Sequence, residues 1–380
     1  MKGISIADLA KAVKGIIIHG QTDFEISSVS INSKDIKKGA LFVPIIGERI
    51  DAHDFIEDAY KNGAIACFTS KDDIFHEGIT CIKVGDTLQA LQDLGRYYRS
   101  LYNIPVIGIT GSVGKTTTKE MVSAALSVKY NVLKTAGNMN SQIGLPLMML
   151  RIEDHHDIAV IEMGISQEGE MEKLVSIAKP DVAIITNIGV SHISQLKSKE
   201  NIRKEKLNII NEFHDNSILF VNGDDPLLEE LINQDKLSKL TANKILSFGS
   251  KNKCNYRAKD IRVIDGQTHF SLIKDNKTDD MNNDIVLNVL GEHNINNALC
   301  ALAVSEHYDL PVSMAKKGLE SYKPIAMRGQ IKKKNDIIII DDTYNASPDS
   351  MKSGIQILLA LNDVDRRIAV LADVLELGSI

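Results

Sequence analysis

The sequence predicts an α/β chain of several domains built around a mainly parallel sheet. Three observations carry that expectation. From Pro105 onward, short runs rich in Val and Ile recur: "PVIGIT", "DIAVIEM", "DVAIITN", "SILFVN" and "KILSFG". Several of the segments between them repeat apolar residues at the 3.6-residue helical period. The runs are also apolar on both faces, as strands covered by helices on both sides must be. With 380 residues, 43% of them apolar, the chain has material for two or three packed domains.

The elements follow in chain order. Residues 1–85 hold β-like runs at Ala40–Ile45, Ala64–Thr69 and Thr80–Val84 around a helical stretch, Asp54–Asn62, and read as a small α/β domain. Leu88–Leu101 has helical spacing and reads as a linker helix (86–104) opening a central domain, 86–325. Tyr256–Ile273 reads as antiparallel, with Asp265-Gly266 as its hairpin turn. Leu299–Tyr322 reads as helix broken near Pro311. "DIIIID" (336–341), a helix from Pro348 and "RIAVLAD" (367–373) then predict a β-α-β unit of a third domain, 326–380. One such unit cannot bury both faces of its sheet, so the third domain is expected to be truncated. Neither internal repeats nor low-complexity tracts occur.

Charge and cysteine usage exclude several classes. A net charge of -6 with no basic face predicts no nucleic-acid partner, and Lys332-Lys333-Lys334 reads as the cap of an exposed turn. Cys67, Cys81, Cys254 and Cys300 lack CxxC or Cys/His spacing and read as buried thiols of a reducing cytoplasm. The N-terminal "MKGISIADLAKAV" lacks a signal-type apolar core, and no window approaches about 18 apolar residues. A soluble cytoplasmic protein without a membrane span is expected.

The stretch "VIGITGSVGKTTTKEMVSAAL", Val106–Leu126, sets Gly111-x-x-Gly114-Lys115-Thr116 after a strand and at the opening of a helix. Bare glycine backbone lets N–H groups converge on phosphate oxygens, and the helix N-terminus adds positive potential. Gly111, Ser112, Gly114 and Thr117 would line a nucleoside triphosphate. Lys115 would reach its β/γ-phosphates and the Thr116 hydroxyl would ligate Mg²⁺. The strict phosphate-loop pattern has Gly at position 109, where this chain has Ile109.

Three further clusters close predicted strands, where open α/β sheets build their sites. Glu162 in "VIEMG" suits Mg²⁺ directly or through water. His192 in "TNIGVSH" and Asp341-Asp342 after "DIIII" are ambiguous when taken alone, since loop histidines and helix-capping acids are commoner than ligands. Glu168, Glu170 and Glu172 read as a solvated first helical turn.

Taken together, the clusters are not independent. "GITGSVGKTTT", "KTAGNMNSQIGLPL", "IEMGISQEGEM", "TNIGVSHI", "NIRKEK", "GEHNINNALCAL" and "IDDTYNASPDS" resemble, in order and spacing, the Mur ligase family. "LFVPIIGERIDAHDF" and "RIAVLADVLELG", one near each end, resemble the member that joins D-alanyl-D-alanine to UDP-N-acetylmuramoyl-tripeptide. The resemblance implies a three-domain architecture. The first domain binds the UDP-substrate, the central P-loop domain binds ATP, and a Rossmann-like C-terminal domain takes the dipeptide. It also implies an ADP-forming amide ligase working through an acyl phosphate, with two Mg²⁺ ions, and a monomer.

Family roles carry over by position. Lys115 and Thr116 would hold the phosphates and one Mg²⁺, while Glu162 and His192 would hold a second. Lys206, in "RKEKLNII", matches the lysine the family carbamylates, although by itself it reads as solvated helix surface. Asn297 matches the adenine contact, and Arg328 and Asp342 match residues that approach the nucleotide from the third domain. Ser33 and the stretch Gly47–Phe55 with Arg49 resemble the UDP site, and Asn138 and Asn140 resemble the lining of the muramoyl-peptide channel. The chain departs from the family pattern at Asn32-Ser33-Lys34, where Asp-Ser-Arg is usual, and at Ser347, where Asn is usual. Losing a bidentate arginine predicts weaker UDP-peptide contacts. The alternatives are another superfamily amide ligase, such as a folylpolyglutamate or cyanophycin synthetase, or a form that binds ATP and UDP-substrate without ligating. A P-loop switch GTPase would share the opening loop but depends on an Asn-Lys-x-Asp guanine motif.

Overall fold

The structure is a computed structural model. It describes residues 1–72, 76–232, 244–251, 253–278, 284–361 and 364–378. Ile380, where the expected truncation falls, lies outside the described residues. The chain divides into two compact units: residues 1–104 with 135–156 and 176–178, and residues 105–134 with 157–175 and 179–380.

The first unit is built on a sheet ordered Ile16–His19, Thr80–Lys83, Ala64–Thr69, Ala40–Phe42, Ser28–Ser30. The last four strands run parallel and Ile16–His19 pairs antiparallel at the edge. Ala40–Phe42 and most of Ala64–Thr69 are buried, as apolar runs between covering layers must be. Helix Thr87–Ser100 is capped by Asp86, whose carboxylate accepts the Gln89 N–H at 2.7 Å. Its Gly95 lets it approach Pro146 of helix Gly144–Met149, where a Cβ would stand 2.7 Å from the proline Cβ. Cys67 and Cys81 sit in register on adjacent strands with sulfurs 3.4 Å apart, and all four cysteines are buried thiols, as expected.

In the second unit the five Val/Ile runs from "PVIGIT" to "KILSFG" are all strands. Seven parallel strands lie in the order Val132–Lys134, Ile158–Glu162, Val106–Thr110, Val182–Ile185, Ile218–Asn222, Lys244–Gly249, Tyr256–Ile264. An antiparallel flank follows, Gln267–Lys274 with Lys277–Thr278 and Asp284–Leu287. Ile264 pairs with Gln267 across Asp265-Gly266, at φ +50° and +79°, so the expected hairpin turn is there in its left-handed form. Helices Lys115–Leu126 and Glu292–His307 cover the sheet, packing Met121, Val122, Leu299 and Leu302 over Ile107, Ile184 and Phe220. The helical stretch around Pro311 resolves into Glu292–His307 and Val312–Ser321, with the proline as N-cap of the second.

Two C-terminal expectations fail. Lys332–Lys334 do not cap a turn. They lie in strand Gln330–Lys334, which pairs antiparallel with Ile337–Asp341, and Lys332 bonds Asp341 at 2.7 Å. The predicted β-α-β unit is therefore a hairpin followed by helix Pro348–Ala360, whose Ser347 and Ser350 form a reciprocal cap. "RIAVLAD" is not a strand, and Val370 is 91% exposed. Strand propensity expresses itself only against a paired neighbour and a covered face, and among the described residues neither adjoins this segment. Glu170 is likewise more than solvated surface, because its carboxylate accepts the N–H groups of Ser166 and Gln167 at 2.6 and 2.9 Å. Among the described residues no helix is long and apolar enough to cross a membrane.

Phe220, fully buried in a central strand, should be a stability anchor. Phe220→Ala is expected to cost about 3–5 kcal/mol, measured as a lower denaturant midpoint with an unchanged slope.

Candidate functional site: a phosphate loop at the switch point of the sheet

Strand Val106–Thr110 is buried at every residue and, first of the sheet in chain order, lies between two later strands, Ile158–Glu162 and Val182–Ile185. The chain winds to one side of it through Val132–Lys134 and then crosses to the other. The carboxyl end of Val106–Thr110 is thus the switch point, where an open α/β sheet leaves a crevice. Three of the sequence-predicted clusters open there: the 111–118 loop, Glu162, and the segment from Thr186 to His192.

The loop turns at Gly111 with φ +149°, and a Cβ there would collide with the Thr186 hydroxyl. Helix Lys115–Leu126 starts directly after Gly114, which aims its first free N–H groups at the crevice. The loop is clamped from behind by Asn187. The Asn187 Oδ1 accepts the N–H groups of Ser112 and Val113 at 3.0 and 2.9 Å, and its Nδ2 donates to the Val113 carbonyl at 3.0 Å. Thr186 Oγ1 donates to the same carbonyl at 2.6 Å, and Gly189 N–H donates to Ser112 Oγ at 2.9 Å. Asp225 in turn accepts the Ile188 N–H at 2.7 Å, holding the clamping segment.

Inside the loop, Lys115 Nζ donates to the Gly111 carbonyl at 2.9 Å. Burial pushes the Lys115 ammonium below the ordinary lysine range; the Glu162 charge opposes that and the Arg328 charge adds to it. Thr116 Oγ1 donates to Glu162 Oε2 at 3.0 Å, and both residues are buried. A hydroxyl and a carboxylate side by side are hard oxygen donors suited to Mg²⁺, which completes its shell with phosphate oxygens and water. Among the described residues, no three His, Cys, Asp or Glu side chains cluster as a metal cage.

Lys206 is only 3% exposed, on helix Lys199–Leu207, which overturns its solvated-surface reading. Burial first, and then the Lys115 charge, holds it well below the ordinary lysine range, with the Glu205 charge opposing. His192 heads the turn Ile193–Leu196 in a left-handed conformation and pairs with Glu376.

One cleft joins Val113, Gly114 and Thr117 to Asn297, Arg328 and Asp342. Asn297 Oδ1 accepts the Thr118 hydroxyl at 2.9 Å, which ties helix Glu292–His307 to the phosphate-loop helix. Asn294 Oδ1 accepts from Asn297 at 3.4 Å. Arg328 stacks on the Tyr344 ring at 3.9 Å. Asp342 accepts the Gly329 N–H at 3.1 Å, and burial raises its carboxyl against the opposing pull of that bond and of Arg328.

The remaining predicted residues belong to the first unit. Ser33 is buried, with its carbonyl accepting from Asn62 Nδ2 at 2.8 Å. Arg49 projects from the exposed turn Gly47–Ile50, and Asn138 and Asn140 share a loop closed by the Asn140 N–H to the Asn138 carbonyl at 2.8 Å. Behind that turn, Asp51 bonds the buried His53 at 2.6 Å, and the Lys71 ammonium, with His53, holds its carboxyl far below the usual range.

Sequence reasoning missed Asn187, Thr118, Asn294 and Tyr344. All four lie inside quoted motifs, yet their work is done on partners elsewhere in the fold. The string Asn276-Lys277-Thr278-Asp279 spells a guanine-reading motif. Its Lys277–Thr278 form an edge strand of the antiparallel flank rather than following a parallel strand into the crevice, and Asp279 lies outside the described residues.

A loop of this build at the switch point of a parallel sheet defines a P-loop nucleotide-binding protein. Comparison with known proteins narrows the class. Residues 109–305 match the Mur ligase middle domain, and residues 25–99 match the Mur ligase family catalytic domain. The chain is 38% identical to the UDP-N-acetylmuramoyl-tripeptide–D-alanyl-D-alanine ligase of Bacillus subtilis (strain 168), over 99% of the chain and 80% of that protein. A crystal structure of MurF from Acinetobacter baumannii superposes with a TM-score of 0.91 at 30% identity, over 100% of this chain and 81% of the other. The MurF ligase from Thermotoga maritima in complex with ADP superposes at 0.77 and 31%, over 87% and 74%. The chain belongs to the Mur ligase family.

Asn187→Ala should leave the fold intact and loosen the loop. Nucleotide affinity is expected to fall about tenfold or more, since three hydrogen bonds of roughly 1 kcal/mol each are lost. Calorimetric titration with ADP checks this, alongside an unchanged melting temperature.

Proposed function

We propose that this chain is an ATP-dependent ligase that joins D-alanyl-D-alanine to UDP-N-acetylmuramoyl-tripeptide. The observation that carries the chemistry is the hydrogen-bonded Thr116–Glu162 pair beneath the phosphate loop, with Lys115 and the buried Lys206 electrostatically coupled beside it. The substrate pair is that of the relatives named above. The γ-phosphoryl group of ATP passes to the terminal carboxylate oxygen of the tripeptide. The dipeptide amine then forms the amide bond, expelling phosphate and losing a proton.

Each residue has a task in that reading. The loop N–H groups and Lys115 bind the phosphates, and Arg328 adds a second cation from the other side of the cleft. In a partly desolvated crevice these charges act on the transferring group more strongly than they would in water. Thr116 and Glu162 would hold one Mg²⁺, and Glu162 and His192 would hold a second; such ions would offset the repulsion between the phosphoryl group and an anionic carboxylate. Asn297 faces the adenine, and Asp342 approaches the nucleotide together with Arg328. Lys206 carries a carbamate: a neutral amine must attack CO₂ and lose a proton, turning a cation into an anion. Burial, which lowers the basicity of Lys206, favours the neutral amine over the ammonium, and this supports the reading.

Residues 1–85, with Ser33 and Arg49, take the UDP end, and Asn138 and Asn140 line the peptide channel. Residues 86–325 bind ATP, and 326–380 contribute to dipeptide binding. The soluble nucleotide substrates favour a cytoplasmic protein, and the family resemblance favours a monomer.

Incubation with ATP, Mg²⁺, the UDP-tripeptide and D-Ala-D-Ala is expected to yield ADP and the UDP-pentapeptide by mass spectrometry. Lys115→Ala should abolish both products, and wild-type turnover in that variant would remove the phosphate-loop assignment. Lys206→Ala should lose activity by about 10- to 100-fold and regain part of it with added short-chain carboxylates. Full activity in that variant would refute the carbamate.

A further inference from the structure

Arg328 reaches the nucleotide cleft from a turn that a later segment of the chain holds in place. Its own N–H donates to the Ile325 carbonyl at 3.1 Å. The residues on either side of it are left-handed, Met327 at φ +64° and Gly329 at φ +63°. The Met327 carbonyl accepts the Tyr344 N–H at 3.1 Å, and the Gly329 N–H donates to Asp342 Oδ1 at 3.1 Å. These bonds set Arg328 beside Tyr344, and the guanidinium carbon stands 3.9 Å from the centre of the Tyr344 ring. A separation that short places the ion over the ring face, where the ring quadrupole attracts a cation. Among the described residues, none of the guanidinium N–H groups donates a hydrogen bond within the fold, although the Asp342 carboxyl feels the charge.

An arginine fixed by a carboxylate spends its donors on that partner. Stacking spends none of them: the ring takes one face of the planar ion, and the N–H groups point outward in its plane. Arg328 lines the same cleft as Gly114, Thr117 and Asn297, and its charge reaches Lys115 of the phosphate loop. We propose that Tyr344 is a positioning residue whose ring holds Arg328 and leaves its donor edge for the phosphate oxygens of the nucleotide. The inference rests on the nucleotide-facing reading of Arg328 given above. Tyr344 is 45% exposed, so its ring contributes little to any core, and its hydroxyl makes no hydrogen bond among the described residues. What the ring supplies is its face. Ordering a long side chain before the ligand arrives removes a cost that binding would otherwise carry.

The test is a double-mutant cycle on the full chain, titrated calorimetrically with the β,γ-methylene analogue of ATP. Tyr344→Leu, which keeps bulk but has no ring face, should weaken binding about three- to tenfold, and Tyr344→Phe should stay within about twofold of wild type. Tyr344→Gln repeats the first comparison without an exposed apolar side chain. Arg328→Ala should weaken binding about tenfold or more. In the Arg328→Ala background, Tyr344→Leu should add less than about a twofold loss, because the ring then has nothing to hold. Melting temperatures should not change. A Tyr344→Leu loss that keeps its full size without Arg328 would mean that the ring serves the nucleotide directly, and it overturns the proposal. So does wild-type affinity in Arg328→Ala or in both Tyr344→Leu and Tyr344→Gln, and so does a Tyr344→Phe loss equal to that of Tyr344→Leu. Failure of the wild type to form amide product would count against the ligase reading instead, since nucleotide affinity is read without the acid or the dipeptide.

Discussion

The placement of strand Val106–Thr110 between Ile158–Glu162 and Val182–Ile185 is the constraint from which the site follows. Because these strands run parallel, all their carboxyl ends open on one edge of the sheet. The phosphate loop, Glu162 and the Thr186–His192 segment therefore arrive together without any element being shaped for the purpose. Burial of all five residues of the strand makes that placement expensive to disturb.

On this frame the site gathers charge where water is scarce. Glu162 and Lys206 are each 3% exposed, and both sit within electrostatic reach of Lys115. Stripping such groups of water is costly unless partners compensate. Here the Thr116 hydroxyl and neighbouring opposite charges do so in part. Lys115 and Arg328 are the cations left facing the cleft, and a polyphosphate bound there would complement them. Meanwhile the Asn187 clamp and the Thr118–Asn297 bond hold the loop and the adjoining helix in shape beforehand, so less ordering is left to binding.

Local features were legible in the residues. The Asp265-Gly266 turn was readable because two residues of left-handed tolerance define a hairpin regardless of what surrounds it. The five Val/Ile runs were readable because strands covered on both faces need that composition wherever they sit. Gly111-x-x-Gly114-Lys115-Thr116 was readable because the loop makes its own binding surface from consecutive backbone.

What depended on a distant partner was not. "RIAVLAD" has strand composition but no neighbouring ladder among the described residues, and Lys332–Lys334 became a strand because Ile337–Asp341 folds back on it. Lys206 looked like surface until helix Lys199–Leu207 was set against the rest of the unit. Alone, then, the sequence determined the strand runs, the phosphate loop and the family, since each is written in contiguous residues. The burial of Lys206, the clamp of Asn187 and the pairing of His192 with Glu376 were decided by tertiary structure alone. Each is a contact between segments whose approach is set by the winding of the sheet, not by their spacing along the chain.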